Sequence, residues 1–165
     1  MPLPTKQILR SLAGATLASL LMMATSFQAQ ASEITEYVVE APFEDVRQDL
    51  GDGVVSLGYK VDHESFIGDM LARTSADVGG KKSIFKKAEL IQFCSAVLSR
   101  AAMEADPANI AFCPYILFAY ERTDEPGKVH VGFRRLDETG SEASKKALAK
   151  INSVLDGIAK EAANQ

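Results

Sequence analysis

The chain has 165 residues, 22 of them acidic and 18 basic, a formal charge of −4 and 47% hydrophobic content. A net acidic polypeptide has no general attraction to phosphate backbones, so nucleic acid is not an expected partner. The length suits one hydrophobic core and is short for two domains of ordinary size.

Residues 1–31 carry the pattern of an export signal. Lys6 and Arg10 precede an apolar stretch from Leu12 to Ala24, and Ala29-Gln30-Ala31 offers a small-x-small cleavage site. That stretch is shorter than the roughly 20 apolar residues that span a bilayer, so stable membrane insertion is not expected after cleavage. Removing it takes away Lys6 and Arg10 and no acidic residue, which moves the formal charge from −4 to −6. What remains, 32–165, reads as one domain in the periplasm or secreted, where thiols oxidise.

Tyr37-Val38-Val39 predicts a short strand ended by Ala41-Pro42. Phe43, Val46, Leu50, Val54 and Leu57 then recur at the spacing of a helix with one buried face. Gly51 and Gly53 weaken it, and Gly58 is a suitable stop. Tyr59 to Phe66 alternates as a strand, and Ile67 to Val78 reads as a helix with Ile67, Met70 and Leu71 inward. The run Lys81, Lys82, Lys86 and Lys87 lacks the spacing of a phosphate loop and reads as a solvated loop.

Ala88 to Phe93 suits a buried strand. Ser95 is placed to cap a helix carrying Val97, Leu98, Ala101, Ala102 and Ala105, with Asp106-Pro107 ending it. Phe112 to Tyr120 is the strongest strand signal in the chain. The turn Asp124-Glu125-Pro126-Gly127 returns it to Val129–Phe133, where Val129, Val131 and Phe133 share one face and His130 takes the other. Ser141 caps a last helix whose stripe is Leu148, Ile151, Val154, Leu155, Ile158 and Ala162. Strands alternating with helices, then a hairpin and a long helix, predict a two-layer α+β fold with a mainly antiparallel sheet.

The segments Met70-Leu71-Ala72-Arg73-Thr74, Ile91-Gln92-Phe93-Cys94-Ser95-Ala96, Asn109-Ile110-Ala111-Phe112-Cys113-Pro114-Tyr115 and Val131-Gly132-Phe133-Arg134-Arg135 together resemble the DUF302 family. The similarity runs from about Tyr37 to Leu136. It implies a curved sheet backed by helices, the TT1751-like (TBP-like) fold, assembled as a homo-oligomer, a dimer or higher. Haem b binding is associated with the family, so haem b is the cofactor the resemblance implies.

If haem is held, the chain's two histidines, His130 and His63, are the first candidates for its iron, since histidine is the commonest haem ligand. The ordinary alternative for each is a surface residue. Arg134 and Arg73 are candidates to pair with propionates, because guanidinium groups bind carboxylates bidentately.

Cys94 and Cys113 have four readings. They could form a disulfide, which needs Cα atoms within about 7 Å. They could be a redox-active pair, with Cys94 just before a helix N-terminus. Cys113-Pro114 has the form of a haem-ligand dipeptide. Both could simply be small buried residues.

There is no HxxxH, no GxGxxG and no nucleophile elbow, so zinc hydrolysis, nucleotide use and triad catalysis have no support and no catalytic residue is assigned. The expectation is a non-enzymatic binding protein. A thiol-active protein of sulfur or redox metabolism and a cofactor-free interaction module are the alternatives.

Overall fold

In the computed structural model, described over residues 34–165, five antiparallel strands form one sheet in the order β1-β5-β4-β3-β2. The strands are β1 (Ile34–Glu40), β2 (Val61–Phe66), β3 (Phe85–Phe93), β4 (Tyr115–Arg122) and β5 (Lys128–Arg134). The helices are α1 (Phe43–Ser56), α2 (Ile67–Thr74), α3 (Ala96–Ala105) and α4 (Glu142–Ala162), with a 3-10 turn over Pro107–Phe112. This is the expected two-layer α+β architecture, with an open sheet whose edges are β1 and β2. The expected signal peptide, 1–31, lies outside the described residues.

The two faces of the sheet differ because side chains alternate along every strand. Leu117 and Ala119 on β4, and Val129, Val131 and Phe133 on β5, are at most 2% exposed. Against them lie Phe43, Val46, Leu50 and Val54 of α1, with Leu148, Ile151, Leu155 and Ile158 of α4. Each side chain so buried stabilises the fold by about 1.5–3 kcal/mol relative to leaving it in water. On the other face Ile116, Phe118, Tyr120 and His130 are only half-buried.

Local features correct several expectations. Gly53 does more than weaken α1: a side chain there would meet Ile158 of α4 at 3.0 Å, so the glycine permits the close helix crossing. Leu57 falls outside the buried stripe and is 51% exposed, while Gly58 stops the chain at φ +79° as expected. Helix α2 ends at Thr74 rather than Val78 and buries no residue completely. It lies against the first half of β3, where β2 has ended.

Lys86 and Lys87 belong to β3, not to a loop, because Lys87 pairs with Glu121 across the ladder. Phe112 lies in the 3-10 turn, and β4 starts only at Tyr115. Pro107 suits the turn's first position, and Asp106 caps it by accepting from the Ala108 N–H. In α3 only Ala102 is fully buried, and Val97 is exposed.

Two buried asparagines tie the connections to α4. Asn152 accepts from the Leu136 N–H and donates to the Leu136 carbonyl, each at 2.8 Å. Asn109 donates to the Ala102 carbonyl at 2.8 Å and to Ser144 at 2.9 Å. Asn152→Leu keeps the volume but leaves the Leu136 N–H and C=O unpaired in the core. A loss of about 2–4 kcal/mol is expected, read as a melting temperature lower by roughly 10 °C in circular dichroism.

Candidate functional site

Two clusters gather the chemistry-bearing residues, and they occupy different parts of the sheet. The first is around His130, on the face turned away from α1 and α4. Its ring lies 4.5 Å from the Tyr120 ring at 5° between planes, because the two residues are register partners on β5 and β4. Tyr120 contacts Phe85 edge-on at 5.4 Å and stacks on Phe118 at 6.0 Å. Gly132 lies between β1 and the Phe118 ring, and a Cβ there would fall on the Thr35 carbonyl and within 2.8 Å of that ring.

Glu36 of β1 closes this cluster. Its carboxylate accepts from the Tyr120 hydroxyl at 2.7 Å and from His130 Nδ1 at 2.9 Å. A carboxylate has no proton to give, so Nδ1 carries the hydrogen. His130 Nε2 is buried without a hydrogen-bond partner and faces Glu125 at 3.4 Å. Both ring nitrogens are thus directed at acidic side chains of its own chain. Burial and the Glu36 carboxylate push the Tyr120 hydroxyl up to about 12, since a phenolate there would be desolvated beside a negative charge.

His63 is on the same face but elsewhere. It pairs with Gln92, which pairs with Ile116, whereas His130 pairs with Tyr120 four residues further along β4. Three strand spacings and that offset separate the histidines by roughly 20 Å. His63 is exposed, beside the half-buried patch of Leu90, Ile116 and Phe118. Arg134 is exposed at the end of β5 opposite Ile34. Arg73 is exposed in the last turn of α2, which starts beside Ala88 at the other end of the sheet. The structure does not bring the two arginines together.

The second cluster surrounds the cysteines. Cys94 and Cys113 form a disulfide with Cα atoms 6.3 Å apart, as the first of the four readings has it. The bridge joins the end of β3 to the start of β4, adjacent antiparallel strands whose pairing runs up to Phe93 and Tyr115. On one side, the Cys94 N–H donates to Asp62 at 3.0 Å. On the other, Ser99 of α3 places its hydroxyl 3.2 Å from the Cys113 sulfur and 2.8 Å from the Tyr115 hydroxyl. Burial raises the Tyr115 hydroxyl above its usual range, and the bond to Ser99 partly opposes that rise. Ser95 caps α3 by accepting from the Leu98 N–H, which orients the turn carrying Ser99.

Glu36, Tyr120 and Glu125 around the imidazole, and Ser99, Tyr115 and Asp62 around the disulfide, were not identified from the sequence as site residues. Glu36 is 94 positions from His130, so no local spacing links them. Ser99 had a weak signal, one turn after a helix cap adjoining a cysteine.

An open five-stranded antiparallel sheet with α1 and α4 on one face, a bridged pair of strand ends and an aromatic row on the opposite face defines a two-layer α+β domain. Residues 35–164 match the family described as "Domain of unknown function DUF302", and the chain belongs to that family. Among solved structures it is similar to "uncharacterized conserved protein DUF302 from Bacillus stearothermophilus", with TM-score 0.65 and 15% identity over 80% of this chain and 99% of that one. That likeness shows the shared fold. None of the curated proteins matches the chain.

The Tyr120 environment gives a direct test. Its folded value is raised from 10, so its contribution to stability is complete below pH 10 and is lost as pH climbs toward about 12. Tyrosinate absorbance should show one tyrosine titrating near that upper value. Glu36→Gln should move this titration part of the way back toward 10 and no further, because burial is the larger cause.

Proposed function

We propose that this DUF302 protein is an exported, non-enzymatic binding protein whose ligand surface is the face of its sheet turned away from α1 and α4. The observation that carries the reading is the contrast between faces. One is sealed by α1 and α4, while the other leaves Leu90, Ile116, Phe118 and Tyr120 half-buried in one patch. A flat row of aromatic and aliphatic groups suits a planar, largely apolar ligand, and contiguous apolar surface of this kind marks binding sites. Haem b or a comparable redox ring is the ligand class that the family resemblance supplies.

The residues fit such a group unequally. Binding iron through His130 Nε2 would keep the Nδ1 bond to Glu36 but would require the Glu125 side chain, 3.4 Å away, to move aside. His63 is exposed on the same face at the margin of the apolar patch, and it is the imidazole free to act as ligand. Arg134 is exposed toward the β1 side of that face, where a carboxylate could meet it. A bound ring would supply electron transfer or gas binding through its metal. The protein's part is to stack on the ring and exclude water from one side. A second copy of the chain, in the homo-oligomer, would cover the other side.

Visible absorption of the purified protein after loading with haem b tests this. A Soret band is expected, shifted or lost in His63→Ala and weakened in Phe118→Glu, and retained in His130→Ala protein that is still folded by circular dichroism. No band in the wild type, or a band indifferent to both His63→Ala and Phe118→Glu, overturns the reading and leaves a cofactor-free interaction module.

A further inference from the structure

The disulfide has two unlike ends, and the difference has a chemical consequence independent of any ligand on the open face. Cys113 packs against the core, and both cysteines are partly buried. The Cys113 sulfur has a hydroxyl at 3.2 Å from Ser99, and that hydroxyl is held by Tyr115 at 2.8 Å. One assignment of hydrogens serves all three groups: Tyr115 donates to Ser99, and Ser99 donates to the Cys113 sulfur. Near Cys94 the polar neighbour is the Asp62 carboxylate, which accepts the Cys94 N–H. Negative charge arising on the Cys113 sulfur would meet the Ser99 hydroxyl as a donor.

We propose that Cys94–Cys113 is an exchange-active disulfide in which Cys94 is the sulfur attacked and Cys113 the thiolate released, with Ser99 stabilising it. The co-reactant is a thiol, small or on a protein, in its thiolate form. Its sulfur forms a bond to Cys94, the Cys94–Cys113 bond breaks, and the electron pair leaves on Cys113. A second thiolate then attacks the incoming sulfur of the mixed disulfide and releases Cys94 as its thiolate. Two thiols are thereby oxidised to one disulfide, and the protein bridge takes up two electrons. Exchange is faster when the departing sulfur is better stabilised as an anion, which is what the Ser99 hydroxyl provides. Ser99 is accordingly a positioning and stabilising group for the leaving sulfur. Tyr115 holds it from the buried side, being only 2% exposed.

The experiment uses the oxidised full domain, native, with reduced glutathione as probe, followed by rapid acid quenching and peptide mass spectrometry. Glutathione is expected on Cys94 in about tenfold excess over Cys113, with Ser99→Ala slowing its appearance roughly three- to tenfold in oxidised protein that still folds, though it melts somewhat lower because the Tyr115 hydroxyl loses its partner. Equal labelling, or a preference for Cys113, overturns the assigned roles while leaving an exchangeable bridge. Absence of any adduct until denaturant is added overturns exchange itself and makes the bridge a staple between β3 and β4. If Ser99→Ala does not fold, the wild-type labelling ratio alone decides.

Discussion

The antiparallel pairing of β4 with β5 is the constraint on which the rest of the molecule depends. Because successive side chains point to opposite faces, one register puts Leu117, Ala119, Val129, Val131 and Phe133 under the helices. The same register puts Tyr120 over His130 on the other side. A slip of one residue would bury the imidazole beneath α1 and α4 and expose the core valines. The turn guards against that slip: Glu121 accepts from the Gly127 N–H at 2.8 Å and from Lys86 at 2.7 Å. Those two bonds hold the Glu121 carboxyl below its usual range, so it is charged when it pins the hairpin.

Polar groups enter the layered core only where they are paired. Arg47 on α1 reaches Glu64 of β2 and Glu89 of β3, binding the helix across two strands. Tyr37 on the edge strand β1 donates to Asp156 of α4, which also pairs with Lys160. These contacts are partly open to water, so each contributes modestly, and their effect is to fix orientation. The buried asparagines are different, because an unpaired amide in that core would cost more than the bond gains.

The two clusters illustrate opposite uses of one sheet. At the face turned away from α1 and α4 the imidazole is held by its own chain's carboxylates and stacked on a tyrosine, so it builds a surface. At the end of β3 and β4, two sulfurs meet beside a hydroxyl borrowed from α3, so that corner has the elements of a reaction. Neither cluster shares a residue with the other, although both draw a tyrosine from β4.

Local pattern alone determined much of this protein. The amphipathic stripe of α4, the Ser95 and Ser141 caps, the Asp124–Gly127 turn and the placement of His130 opposite Val129, Val131 and Phe133 follow from periods of 3.6 and 2 and from capping chemistry. The family resemblance rested on short segments along the same elements, and it named the fold correctly. Tertiary structure decided what those patterns are silent about. It joined Cys94 to Cys113, brought Glu36 to His130 and put Ser99 against a sulfur, while it kept His63 far from His130. It also turned Gly53 from a weak point of a helix into a crossing point, and set Lys86 and Lys87 in a strand. The physical reason is that a residue's own periodicity reports which face it occupies. Which distant residue shares that face depends on strand order and register, and those are settled only when the whole sheet closes its core.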